Sequence, residues 1–113
     1  MIETNTTLFE VKDKVAWITL NRPEAMNSLN PELRWQLSQH MDEVESNGDI
    51  WVAVITGAGE KAFSAGADLK HRAREREASD EEKANWQRMN AESKSIIERW
   101  YTPKPVIAMV NGY

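Results

Sequence analysis

Cysteine is absent from the 113-residue sequence, which removes disulfides, thiolate metal sites and a cysteine nucleophile together. Histidine occurs twice. His40 and His71 stand apart from any carboxylate or second histidine at a metal-ligand spacing, so no metal site is expected. Long hydrophobic runs are missing too: Trp51–Ile55 falls far short of the roughly 20 residues of a membrane helix. Met1–Thr7 lacks the basic start and apolar stretch of a signal peptide. Neither charge sign dominates, with 14 Lys+Arg against 18 Asp+Glu and a net charge of −4. That balance argues against wholesale nucleic-acid binding and makes a cytoplasmic location the default expectation. With 41% hydrophobic and 28% charged residues, one unit spanning residues 1–113 is the natural reading for this length.

Leu8–Val11 and Val15–Leu20 are β-type runs around the polar turn Lys12-Asp13-Lys14, a predicted hairpin. The second run is apolar at nearly every position and is expected to be buried on both faces. Asn30-Pro31-Glu32 predicts a helix start, with Asn30 as cap. Leu33, Leu37, Met41 and Val44 form its inward stripe, and Gly48 sits just past its end. Trp35 lies off that stripe and is a candidate for a subunit or domain contact. Trp51–Ile55 reads as a strand. Ser79 and Glu82 form a capping box opening a second helix, with the stripe Trp86, Met89, Ser93, Ile96 and Trp100. Val106–Val110 reads as an interior strand, and the pattern stops in mid-architecture after it. Alternating apolar strands and helices predict parallel βαβ units, hence an α/β class. The five tryptophans mostly occupy strand or stripe positions and are expected in the core rather than as a platform for bases.

The segment from Gly57 to Ala78 separates a strand from the next clear helix, and long loops in compact units tend to carry function. Gly57-Ala-Gly-Glu-Lys-Ala62 matches a dinucleotide-binding glycine pattern, but no helical stripe follows directly, so an ordinary turn is the better reading. Two readings stand for Phe63-Ser-Ala-Gly-Ala-Asp-Leu-Lys70. Its small residues serve either a tight crossover against a neighbouring strand or close approach of a ligand to bare amides. In the second reading Asp68 opens a helical turn and the amides near Ala67 face a developing oxyanion. The mixed-charge run Asp68–Glu77 reads as a solvated helix face, with phosphate collection by Lys70, His71, Arg72 and Arg74 as the alternative.

Four segments, in order, resemble the crotonase (enoyl-CoA hydratase/isomerase) superfamily: Ile18–Leu29, Val54–Gly57, Lys61–Lys70 and Lys104–Tyr113. The resemblance implies the amino-terminal portion of a ββα spiral whose substrates are acyl-CoA thioesters, with coenzyme A entering as part of the substrate and no separate cofactor. It implies that the Ala67 amide is one of two donors to the thioester oxygen. It also implies that Ala65, Ala67, Asp68, Leu69 and Lys70 bind substrate, and that Glu24-Ala25-Met26 lies against the CoA moiety. Glu24 stands where many members carry a basic residue. Family chains are about twice this length, and their second oxyanion amide and catalytic glutamates match no position here; Glu60, Glu75, Glu77, Glu81 and Glu82 are not promoted to that role. The resemblance therefore implies a hydratase-like lyase of fatty acid metabolism for an intact protein, as a trimer or dimer of trimers. The alternatives are an isomerase, thioesterase, dehalogenase or ring-forming relative, or an inactive fragment that needs a complementary chain.

Overall fold

Two consecutive left-handed residues, Asp13 (φ 50°) and Lys14 (φ 67°), reverse the chain and make the first hairpin, the backbone a two-residue turn demands. In the computed structural model, which describes residues 6–95, 97–99 and 101–113, this hairpin pairs β1 (Thr7–Lys12) antiparallel with β2 (Val15–Leu20). A helix, α1 (Pro31–Ser46), then returns the chain to β3 (Val52–Gly57), which runs parallel to β2. Asn30 caps α1 by accepting the Leu33 N–H at 2.9 Å, with Pro31 in the first turn, as its residue types require. A short helix, α2 (Leu69–Glu75), and a longer one, α3 (Asp80–Glu92), precede β4 (Val106–Ala108), parallel to β3. The four strands lie in the order β1-β2-β3-β4. The class is α/β, as the sequence predicts.

The core lies between α1 and one face of the sheet. Ala16, Ile18, Leu20, Ala53 and Ile55 point into it from the strands, and Leu33, Met41 and Val44 from α1. The predicted stripe of α1 thus meets the alternate residues of the strands, which is the geometry of a helix on a pleated surface.

Several expectations need correction. β2 is buried on one face only, with Ala16, Ile18 and Leu20 inward while Trp17 is 38% exposed on the side that α1 does not cover. Trp51 precedes β3, is 63% exposed and lies beneath the Lys14 ammonium at 5.0 Å. Trp86 is the buried tryptophan among the described residues. The Trp35 indole, off the α1 stripe as expected, donates to Glu92 Oε2 at 3.0 Å. β4 covers Val106–Ala108 of the expected Val106–Val110, and Ile107, Met109 and Val110 are exposed. α3 ends at Glu92, because Ser93 turns extended and Lys94 N–H leaves the helix axis for Ser38 Oγ at 2.9 Å; Ile96 and Trp100, predicted to continue its stripe, lie outside the described residues. No helix among the described residues is long and apolar enough to cross a membrane.

The return segment grips α1 through side chains. Arg99, 4% exposed, donates to Ser38 O and Oγ (3.1 and 3.0 Å) and Asp42 Oδ1 (2.9 Å), and pairs with Glu45 Oε2 at 3.0 Å. Lys104 Nζ reaches Val44 O and Asn47 O at the carbonyl end of α1, where helix acceptors lack intrahelical partners. Arg99→Ala is expected to cost about 2 kcal/mol, since Asp42 and Glu45 regain some water when the guanidinium goes. A urea midpoint unchanged by that substitution would contradict the assignment.

Candidate functional site

The loops leaving β2 and β3 are joined by one fully buried side chain. Asn27 adopts φ 54°, a left-handed conformation that asparagine tolerates. Its Oδ1 accepts the Arg22 N–H at 2.8 Å, and its Nδ2 donates to Ala58 O and Ala62 O, both at 3.0 Å. Gly57 is required beneath it, because a Cβ there would lie 2.5 Å from Phe63 O and 2.8 Å from Asn27 Nδ2. From the far side Asn111 Nδ2 donates to Gly57 O and Gly59 O, while Phe63 and Ser64 N–H both donate to Tyr113 O. The residues after β3 therefore form a fixed bend, with no helix until Leu69. That geometry matches the ordinary turn and not a dinucleotide-binding one.

Beyond the bend the chain runs beside residues 26–29. Ala65 N–H donates to Met26 O (2.9 Å), Ser64 Oγ–H to Asn27 O (2.8 Å), Leu29 N–H to Gly66 O (2.7 Å) and Asp68 N–H to Leu29 O (3.4 Å). Leu29 and Ala67 form a parallel bridge. In such a bridge the neighbours of residue 67 supply the groups that face Leu29, so the N–H of Ala67 points to the opposite side. Among the described residues nothing accepts from it. Gly66, at φ +86°, lets the chain turn into this arrangement. Ala67 lines a cavity of about 140 Å³ together with Leu29, Asp68, His71 and Glu75.

Asp68 anchors the next turn. Its Oδ1 accepts the His71 N–H at 3.0 Å, capping α2, and its Oδ2 lies 3.0 Å from Arg22 Nη1. Burial pushes the Asp68 carboxyl up, but the His71 amide and the Arg22 guanidinium outweigh it and hold the group below its ordinary value. The stabilisation is therefore complete above the unfolded value of about 4 and is lost as pH falls through the folded one. The Tm gap between wild type and Asp68→Asn should stay constant above about pH 5 and close below it. A gap independent of pH would refute the pairing.

The predicted residues separate into three places. Glu24, Ala25 and Met26 belong to a 3-10 turn, Pro23–Ala25, and its cap. Met26 lines a second cavity, about 340 Å³, with Pro23, Asn27 and the bend from Ala58 to Ala62, whereas Glu24 is exposed. Ala65 is exposed beside Ala67 and Asp68. Leu69 and Lys70 stand on the exposed side of α2, outside the lining of the Ala67 cavity. The mixed-charge run does form a solvated helix, but His71 is less isolated than expected: its Nε2 lies 3.9 Å from Glu75 Oε1 and its ring meets Trp86 edge-on at 4.4 Å. His40 donates through Nε2 to Thr7 Oγ1 at 2.7 Å, since that hydroxyl spends its own proton on Gln36 Oε1, and burial holds the imidazole below its ordinary value. Among the described residues no three His, Cys, Asp or Glu side chains gather as metal ligands. Sequence reasoning missed Asn27, Arg34 and Asn90. The last two reach the Ala67 cavity from different helices and share no local pattern.

The family model described as enoyl-CoA hydratase/isomerase matches residues 10–113. The chain is 43% identical over 104 residues to (E)-benzylidenesuccinyl-CoA hydratase of Thauera aromatica, covering 92% of this chain and 38% of that one. It is 33% identical to a short-chain-enoyl-CoA hydratase of Clostridium acetobutylicum, covering 99% and 41%. Among solved structures, an enoyl-CoA hydratase/isomerase from Xanthobacter autotrophicus Py2 matches with a TM-score of 0.75 at 35% identity, covering 96% and 39%. Carnitinyl-CoA hydratase from Mycobacterium avium matches with a TM-score of 0.75 at 32% identity, covering 97% and 40%. The chain thus spans about two-fifths of the length of the curated relatives it matches. A fold and a sequence that agree from the first strand to Tyr113 place the chain in the enoyl-CoA hydratase/isomerase family.

Proposed function

We propose that the protein carrying this chain is a hydratase-type lyase that adds water across the double bond of a 2-enoyl-CoA thioester. One observation carries the reading: the Ala67 N–H faces away from its bridge partner, lacks an acceptor among the described residues, and belongs to a residue lining a cavity. When water or hydroxide adds to the carbon β to the thioester, negative charge moves onto the carbonyl oxygen. A donor fixed in advance at that oxygen stabilises the charge as it forms and gains less from the neutral ground state. Asn27, Gly57 and the hydrogen bonds of residues 64–68 to residues 26–29 supply the rigidity this requires. Met26 and the neighbouring cavity offer a surface to the CoA portion, with Ala65 and Asp68 flanking the acyl end. The named relatives act on benzylidenesuccinyl-CoA and short-chain-enoyl-CoA, which supports the thioester class.

The second oxyanion donor and the acid/base glutamates belong, in this reading, outside these 113 residues. An isomerase is the second reading, because the same amide stabilises the same enolate and the matching family includes both reactions. A trimer or dimer of trimers in the cytoplasm is the assembly that goes with either. Titration of the intact protein with crotonyl-CoA should give saturable heat, and titration with crotonate none. Residues 1–113 alone should not turn crotonyl-CoA over; hydration by that isolated segment, or an absence of heat with the intact protein, would overturn the reading.

A further inference from the structure

The sequence contains two Asn-Gly dipeptides, Asn47-Gly48 and Asn111-Gly112, and the fold treats them differently. Glycine after asparagine leaves the carboxamide carbon open to the next backbone nitrogen, because no side chain stands in the way. Asn47 is the C-cap of α1, and Gly48 just beyond it is exposed. A Cβ at Gly48 would meet nothing within 4 Å, and its N–H donates to no group among the described residues. Water therefore reaches that nitrogen, and the peptide has room to swing. The Asn47 carboxamide is also polarised, since its Oδ1 accepts the Asp49 N–H at 2.9 Å and a donor there favours charge developing on the oxygen. Asn111 is held instead. Its Nδ2 donates to Gly57 O at 2.8 Å and Gly59 O at 3.0 Å, and its Oδ1 accepts the Gly57 N–H at 3.2 Å. A Cβ at Gly112 would lie 2.5 Å from Lys61 O, so that backbone is wedged and cannot turn towards the Asn111 side chain.

We propose that Asn47 is a site of spontaneous modification, deamidating in the folded protein while Asn111 is protected, and that the change loosens the end of α1. Gly48 N gives its proton to hydroxide and bonds to Asn47 Cγ. The Cγ–Nδ2 bond breaks, and ammonia leaves with a proton from solvent, closing a succinimide. Water then opens either ring C–N bond, which leaves aspartate or isoaspartate; nothing is oxidised or reduced. Asn47 Nδ2 donates to Glu43 Oε1 at 3.0 Å. A carboxylate in its place loses that bond and sets like charges together at the carbonyl end of a helix. In isoaspartate the main chain runs through Cγ and gains a carbon. The carbonyl held by Lys104 Nζ at 2.7 Å and by the Ile50 N–H at 3.1 Å is then displaced.

Warm incubation of the intact protein at mildly alkaline pH, followed over time by peptide mass spectrometry, tests this. In the native protein Asn47 should convert about tenfold or more faster than Asn111, which must first break its hydrogen bonds. In urea the two rates should agree within about threefold, because the unfolded chain holds neither site. Gly48→Ala should suppress conversion at Asn47. The fresh variant should melt at or slightly above the wild-type temperature, since Gly48 is not left-handed and a Cβ there meets nothing. Aged wild type should melt below fresh wild type, and aged Gly48→Ala should not. Asn47 intact in the native protein while the unfolded chain converts, or equal native rates at the two sites, overturns the proposal. Aged protein converted at Asn47 that melts like fresh protein overturns it as well.

Discussion

Loss of the Ala67 amide proton is expected to lower kcat for hydration of a 2-enoyl-CoA by the intact protein roughly 100- to 1,000-fold, the range for removing one oxyanion donor. Ala67→Pro removes the N–H outright. A backbone ester at the same position removes it without adding ring atoms, so agreement between the two separates lost donation from distortion. The effect should fall mainly on kcat, with KM changing less, because the bond strengthens only as charge develops on the oxygen. The bridge to Leu29 survives both changes, since it is made by Gly66 O and Asp68 N–H and not by residue 67 itself. A change below about threefold in either variant would show that the amide faces no reacting oxygen.

The second large effect belongs to Asn27. Asn27→Ala is expected to destabilise the fold by about 4 kcal/mol, because three hydrogen bonds vanish and the Ala58 and Ala62 carbonyls and the Arg22 N–H lose a buried partner together. Part of the loss is backbone strain at φ 54°, so Asn27→Gly should recover about 1 kcal/mol of it. Urea denaturation measures both. Hydrogen exchange should show protection lost first in residues 57–67, the segment this side chain holds in place. A midpoint within experimental scatter of wild type would mean that the loops are held by something else.

These two residues show how far the sequence carried. The strands, α1 and the capping box of α3 were legible because each rests on local chemistry: Asn30 before Pro31, Ser79 with Glu82, apolar residues at the period of their element. The one-sided burial of β2 was not, because continuous apolar runs do not reveal which face a neighbour covers; Trp17 and Trp51 emerge only once α1 is seen to occupy a single side of the sheet. The end of α3 was misread because a helical stripe can continue past the point where Lys94 leaves for Ser38. At the site, the small residues around Ala67 left a tight crossover and the approach of a ligand both open, and the family resemblance pointed to the amide. The direction of that amide depends on the bridge to Leu29, a pairing across distant residues. Asn27, Arg34 and Asn90 gave no signal for the same reason, since each acquires its role from a contact made in three dimensions.

A crystal structure of the intact protein with a non-reactive acyl-CoA bound is the most direct measurement of the central claim. The thioester oxygen should lie about 3 Å from Ala67 N, within ordinary hydrogen-bond distance. A thioester bound elsewhere, or an Ala67 amide bonded to another part of the protein in that complex, would contradict it.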